Sequence, residues 1–481
     1  MRRSGGWMAL TALVVLTPIG GAVAATATQD LVILHDNDIH GHLRAFCYVE
    51  TAKGPDEHCR IGGAARRASL IRRLRSRAHA PVLLIDSGDT STRGPLTTQY
   101  EGQDEIAAMN ALHYDMAAIG NNEFKLKDAA DAADVAGAQA SLRRLVASSR
   151  FPWICANVSG ADGAPLRGVR PFVVRRVGQL RIAFLGLTTQ RSSTYLQTTG
   201  LTVTDPVAAA QAWIPRARQQ ADVVIAVTHI GVDDDRRLVK GTRGLDVVVG
   251  GDSHTFLYAP VEERNLDGRT VPIVQDGEFG VRLGEMRLRF ERGAHGGWRL
   301  ARSSDVLLPI DAHIPADPRI AALVERYARP LDVTVGKGPA IGGAPQERLA
   351  QTAQQLASIW RDRARTDVGL QPPAGIFEVF RTRAVTRYQL HAILPFHDTL
   401  WSGHIEGARL KALLAAPTPA GPMGSTIAAA DVDPTRTYTI ATTDFAAKGA
   451  LIEGADTGVD VRQAAEDWLG KPPPYAGTPR P

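Results

Sequence analysis

Cysteine is almost missing from this 481-residue chain: Cys47, Cys59 and Cys155 are its only three. So sparse a supply excludes a disulfide-built scaffold, and stability has to come from apolar cores, for which 44% hydrophobic content is ample. Cys47 and Cys59 flank the loop CYVETAKGPDEHC and are expected to pair in an oxidising compartment, while Cys155, inside the run PWICANV, reads as a buried thiol. A surplus of one charge is missing too. The chain carries 55 basic against 50 acidic residues, and aromatics make up only 6%. Basic segments such as RRASLIRRLRSR contain no aromatics, so they read as solvated helix faces and no nucleic-acid partner is expected.

Long hydrophobic runs are missing after the first 24 residues, so no membrane anchor is expected. The N-terminus does carry one, of a particular kind. Arg2 and Arg3 precede an apolar stretch from Trp7 to Val15, and Ala22-Val23-Ala24 follows, which is the order of a secretory signal peptide cleaved before Ala25. Removing the two arginines lowers the formal charge from +5 to +3 and leaves a periplasmic or secreted mature protein.

What the chain does contain is alternation. From residue 31 to about 290, the short β-type runs LVILH, PVLLID, DMAAIG, FPWICANV, LRIAFLGL, DVVIAVTH, LDVVVGG and VPIVQ are separated by segments with helical spacing, as at Ala64, Ala68, Ile71 and Leu74. Near-continuous Val, Ile and Leu runs imply strands covered on both faces, hence a layered α/β domain with much parallel pairing. The stretch DPRIAALVERYARPLDV, 317 to 333, reads as a helix capped by Asp317 with proline at its first position. The expected division is a signal peptide (1–24), a first domain (25–310), a connecting helix (311–334), a smaller second domain (335–470) and a tail (471–481).

Five of the strands end in metal-ligand chemistry. LVILH runs into Asp38 and His40, PVLLID into Asp89, DMAAIG into Asn121, VVIAVT into His229, and DVVVGG into Asp252 and His254. A single aspartate after a strand usually caps a helix, and a single histidine is usually a satisfied core residue. Five such ends together are another matter. In layered α/β folds the carboxyl ends of neighbouring strands meet at one crevice, and seven ligands there make a dinuclear complement.

The ordered motifs LHDNDIHGHL, IDSGDTSTRG, AIGNNEF, VTHIG and VGGDSHT resemble those of the calcineurin-like metallophosphoesterases, specifically the 5′-nucleotidase family. The resemblance implies a layered α/β metallophosphoesterase domain with a second, smaller α+β substrate-binding domain. It implies two divalent ions (Mn, Zn, Fe or Mg), one held by Asp38, His40 and His254, the other by Asn121, His229 and Asp252, with Asp89 bridging. The activity implied is hydrolysis of a small phosphoester, a nucleotide above all, by a metal-bridging hydroxide.

This sequence departs from the family pattern in several places. Asn122 and Lys125 stand where the family has a His and an Asp that stabilise the transition state, and an amide cannot donate a proton as an imidazolium can. Lys125 can supply positive charge, and His42 is a candidate proton donor. Asp252 replaces a histidine, which adds negative charge and favours a hard ion such as Mn. In the second domain, ILPFHDTLWSGHIEGARLKALL and YTIATTDFAAKG resemble the family. Phe396 matches an aromatic that stacks on the nucleobase, although it equally reads as a core phenylalanine. Phe377 stands where a substrate-binding arginine is expected, leaving Arg381 or Arg383 as substitutes. Three readings stay open: a nucleotide phosphoesterase, a metal-binding pseudoenzyme or binding module, and a hydrolase of non-nucleotide phosphate or sulfur esters.

Overall fold

The computed structural model describes residues 27–46, 60–125, 135–160, 163–190, 201–293, 296–339, 341–380, 384–416 and 421–470. The expected signal peptide, the Cys47 and Cys59 pairing, Arg381, Arg383 and the tail all lie outside these residues.

The strand Thr28–Asp36 shows how sequence becomes layers. Successive side chains on a strand point to opposite faces, so Leu31 and Ile33 enter one core while Val32 and Leu34 enter another. Both faces are covered, which is why the run is apolar without interruption. This strand pairs in parallel with Val82–Asp86 and antiparallel with Arg282–Arg292. The full sheet has seven strands, in the order Trp298–Pro309, Arg282–Arg292, Thr28–Asp36, Val82–Asp86, Met116–Ala118, Trp153–Ile154, Val169–Arg170.

A second sheet has six strands, in the order Val261–Arg264, Thr270–Val274, Val247–Val249, Val223–His229, Leu180–Thr188, Phe172–Val177. The two sheets share a core in which Ile33, Ile85 and Met116 meet Phe184, Ile225 and Val227. Burying each such side chain contributes roughly 1.5–3 kcal/mol. Helices Ala64–Arg77 and Gln103–Leu112 cover the outside of the first sheet through Ile71 and Met109, and Pro206–Arg218 and Val232–Gly241 cover the second through Ile214 and Leu238. The result is a helix–sheet–sheet–helix stack. Its parallel strands gather their carboxyl ends at one rim.

The helix Pro318–Ala328 starts as its sequence indicates: the Asp317 carboxylate accepts hydrogen bonds from the backbone of Arg319 (2.8 Å) and Ile320 (3.2 Å). Ile320, Val324, Ala328 and Leu331 lie in the outer core of the first domain, so this helix is docked on it. Arg44 fastens the same segment, donating to Glu325 (2.9 Å) and Asp332 (2.7 Å), and its guanidinium lies 4.8 Å from the Tyr388 ring.

The remaining chain forms a five-stranded sheet, in the order Gly424–Ser425, Val368–Gln371, Thr437–Thr443, Thr399–Glu406, Glu453–Asp460. Helices Pro345–Ala364 and Val461–Leu469 pack Leu356, Trp360 and Ala465 around Phe380. The buried Trp360 indole donates to Gln371 (2.8 Å), satisfying its polar atom. Cys155 is a buried thiol, as its apolar surroundings indicate, and burial pushes its pKa up to about 12.

Candidate metal centre

Backbone conformation marks the rim before any side chain is considered. Among the described residues twelve non-glycine positions have positive φ, and five of them are expected ligands: Asp38 (52°), His40 (49°), Asp89 (56°), Asp252 (82°) and His254 (54°). Each such conformation costs of order 1–3 kcal/mol and persists only where the surroundings enforce it. Here they are enforced by bonds between loops. The backbone N–H groups of Asp38, His40 and Gly41 donate to the carbonyls of Gly88 (3.0 Å), Asp89 (3.0 Å) and Thr90 (2.9 Å), zipping the loops after the first two parallel strands together.

Asp38 is fully buried, and its two oxygens differ in their surroundings. Oδ2 accepts from Asn37 Nδ2 (2.7 Å) and from the backbone of Asp252 (2.8 Å). Oδ1 has no hydrogen-bond partner and faces Nε2 of His254 (3.1 Å), His40 (3.6 Å) and His229 (3.7 Å). His229 Nδ1 lies 2.8 Å from the Ser87 carbonyl, which can only accept, so Nδ1 carries the proton and Nε2 presents a lone pair. That lone pair is orphaned too, facing Asp89 Oδ2 (3.2 Å) and Asp252 Oδ1 (3.8 Å). His254 repeats the arrangement, with Nδ1 donating to Glu278 and Nε2 lying 3.4 Å from His40 Nε2.

Carboxylate oxygens and imidazole nitrogens thus converge, and Asp38 Oδ1 and His229 Nε2 have no hydrogen-bond partner there. Among the described residues two groups satisfy the spacing of a metal site, Asp38–His40–His254 and Asp38–Asp89–His229, and Asp38 belongs to both. Without a cation the cluster must draw protons. Burial alone would lower His229, but Asp89 and Asp38 outweigh it and push it up to about 9. Burial likewise opposes charge on His254, yet Asp38 and Glu278 lift it to about 10. Buried though they are, Asp38 and Asp89 sit well below the usual carboxylate range because of these histidines. Divalent ions would supply the same positive charge in place of those protons, so the residues present fit such ions.

Asp89 is held from the neighbouring turn. Its Oδ1 accepts from the backbone of Asn122 (2.7 Å) and its Oδ2 from the Asn122 side chain. Asn122 is therefore buried and committed to Asp89, while Asn121 beside it is half-buried. Lys125 closes the short 3₁₀ helix Asn122–Lys125; its side chain lies outside the described residues. Glu123, which the motif includes without a stated task, turns out to be a clamp. Its carboxylate accepts from the backbone of Asp89 (3.0 Å), Thr90 (2.9 Å) and Gly120 (2.7 Å), joining two strand-end loops.

His42 packs between the rings of Phe46 (4.5 Å) and Phe279 (4.3 Å), with Nδ1 3.0 Å from the Ile39 carbonyl. Burial lowers its pKa to about 4, so at neutral pH it is an uncharged imidazole. Arg93, passed over in the motif, lies with its guanidinium 5.7 Å from the centre of the Phe377 ring. Phe377 in turn meets Phe396 edge-to-face at 5.3 Å. Phe396 is half-buried and Phe377 is 40% exposed, so neither is a core residue. The Arg93 signal available in sequence was an arginine between an expected ligand and a glycine in GDTSTRG, but nothing local says where such a side chain points.

Comparison with known proteins agrees with this geometry. Residues 31–256 match the family model of calcineurin-like phosphoesterases, and residues 342–427 that of the 5′-nucleotidase C-terminal domain. The chain is 32% identical over 342 residues to human 5′-nucleotidase, covering 66% of this chain and 55% of that protein. It is 30% identical over 321 residues to the snake venom 5′-nucleotidase of Naja atra, covering 62% and 56%. It thus spans about half the length of the curated relatives it matches. The solved structure of a 5′-nucleotidase precursor from Thermus thermophilus superposes with a TM-score of 0.72 at 23% identity, covering 92% of this chain and 96% of that one, and so shares its fold. With both domain models in order around a shared-aspartate ligand cluster, the chain belongs to the 5′-nucleotidase family of calcineurin-like metallophosphoesterases.

Proposed function

We propose that the protein is an exported phosphomonoesterase acting on nucleotides, with two divalent ions at the sheet rim. Asp38, His40 and His254 would hold one ion, Asn121, His229 and Asp252 the other, with Asp89 between them. The observation that carries this reading is the orphaned Asp38 Oδ1 and His229 Nε2, buried acceptors turned toward each other. When bound, the ions would activate a water as nucleophile and neutralise phosphoryl oxygens. The chain's own residues fix the ligands: Ser87 and Glu278 set the imidazole tautomers, and Asn122 and Glu123 hold Asp89. The catalytic unit would comprise residues 25–310 and the substrate-binding unit 335–470, joined by 311–334, with Phe396 offering a stacking face to the base. Residues 1–24 would direct export to the periplasm or medium. Phosphate release by the Mn²⁺-loaded protein from a nucleotide panel and an aryl phosphate tests the reading. No turnover beyond that of Asp89→Ala would overturn it.

A second reading, a slow or silent metal-binding relative, is favoured by one specific arrangement. Asn122 spends its amide on Asp89, and His42 is uncharged, so neither brings an acidic proton to a leaving group. On that reading Asn122→His with Lys125→Asp raises turnover, whereas a fall from robust native activity excludes it.

A further inference from the structure

We infer that Arg93 is the residue that grips the substrate's phosphoryl group at the border of the two domains, taking an oxygen turned away from the metal ligands. The inference rests on the phosphomonoesterase reading above. Its first support is a buried guanidinium nitrogen left unsatisfied. Arg93 Nε is buried without a hydrogen-bond partner, and the side chain makes no ion pair among the described residues. An unpaired buried donor on a charged group costs free energy unless a ligand satisfies it.

The second support is placement. Thr92 and Arg93 occupy successive left-handed conformations (φ 122° and 64°), a strained pair held because Gly94 packs so closely on Gly41 that a Cβ there would lie 2.3 Å from the Gly41 carbonyl oxygen. Thr92 Oγ1 approaches His40 Nδ1 at 3.5 Å, so the loop carrying Arg93 abuts a metal ligand directly. On its other side the guanidinium meets Phe377, whose ring contacts Phe396. An arginine resting on an aromatic face keeps its planar N–H edge available for an oxyanion.

The third support is charge. A guanidinium beside a site fit for two dications is repelled when they are bound, and an anion lying between them removes the repulsion. A phosphate ester whose organic part reaches toward Phe377 and Phe396 meets both demands: its phosphoryl oxygens lie between the ligands and Arg93, and its apolar or aromatic part lies against the second domain.

The test uses the full Mn²⁺-loaded chain as wild type, Arg93→Ala, Arg93→Lys and Phe396→Ala. Inorganic phosphate is titrated by calorimetry, metal content is measured by mass spectrometry, and hydrolysis of adenosine 5′-monophosphate and of glycerol phosphate is followed. Losing a charge-assisted contact predicts about 10- to 100-fold weaker phosphate binding in Arg93→Ala, a similar fall in kcat/KM for both esters, unchanged metal content, and partial recovery in Arg93→Lys. Phe396→Ala should instead harm the nucleotide more than glycerol phosphate. Phosphate affinity and turnover within twofold of wild type in Arg93→Ala would overturn the inference, as would loss of bound metal in both Arg93 variants, which would make Arg93 a scaffold residue. If the wild type hydrolyses neither ester, the phosphoesterase reading falls, and the phosphate titration still decides the role of Arg93.

Discussion

In Gly120→Ala the new methyl carbon would stand 2.2 Å from Asp89 Oδ1 and 2.5 Å from the Asp89 backbone nitrogen. Carbon and oxygen do not approach so closely, so one partner must retreat by about 1 Å, a displacement that in an active site typically costs on the order of 100-fold in rate. Neither partner is free to move. Asp89 Oδ1 is bonded to Asn122 N (2.7 Å), and the Asp89 and Gly120 backbones are both tied to Glu123 (3.0 and 2.7 Å). Overpacking of a rigid site costs about 1–3 kcal/mol, which for a domain of this size corresponds to a melting temperature lowered by roughly 2–12 °C. Gly342→Ala is the control, because a Cβ there meets nothing within 4 Å. Melting temperature, bound metal per chain and phosphate release should all fall in Gly120→Ala and stay level in Gly342→Ala. A Gly120→Ala protein with wild-type metal content, melting point and turnover would refute the proposed role of Asp89 between the ligand sets.

Two other consequences are open to measurement. In metal-free protein, His229 and His254 have pKa values pushed up to about 9 and about 10, above the unfolded value near 6.5, so their charge stabilises the fold in full below that value and the benefit is lost as pH rises through 9 to 10. The melting temperature in chelator should therefore fall between pH 6.5 and 10 while the Mn²⁺-loaded protein changes little, and a flat profile in chelator would contradict the proton-bridged cluster. Arg44→Ala removes bonds to Glu325 and Asp332 and the contact with Tyr388, a partly exposed network worth about 1–2 kcal/mol. Limited proteolysis near residues 332–344 should quicken, and an unchanged cleavage rate would show that Arg44 does not fasten the second domain.

Sequence reading reached the layered α/β class and the strand-end positions of Asp38, His40, Asp89, His229, Asp252 and His254, because apolar runs and the polar residues that end them are local signals. It did not reach the partition into two sheets. The run LVIL announces a strand covered on both faces, but whether its neighbour is PVLLID or VVIAVT depends on crossovers that no local pattern encodes. The same limit hid the clamp of Glu123 on residues more than thirty positions away, and the meeting of Arg93 with Phe377 across the domain border. Asn122 was legible as an altered position, yet its commitment to Asp89 became visible only in three dimensions.

The left-handed backbone at five of the expected ligands also limits how this rim can evolve. Aspartate, asparagine and histidine are the non-glycine residues that tolerate positive φ best, and they are also good ligands for divalent ions. Glutamate, glutamine or cysteine could bind an ion at position 252 but would resist a φ of 82°, whereas aspartate satisfies both demands. An exchange between histidine and aspartate at position 252 is therefore one of few steps open to such a loop, and drift here is confined to an alphabet of about three letters.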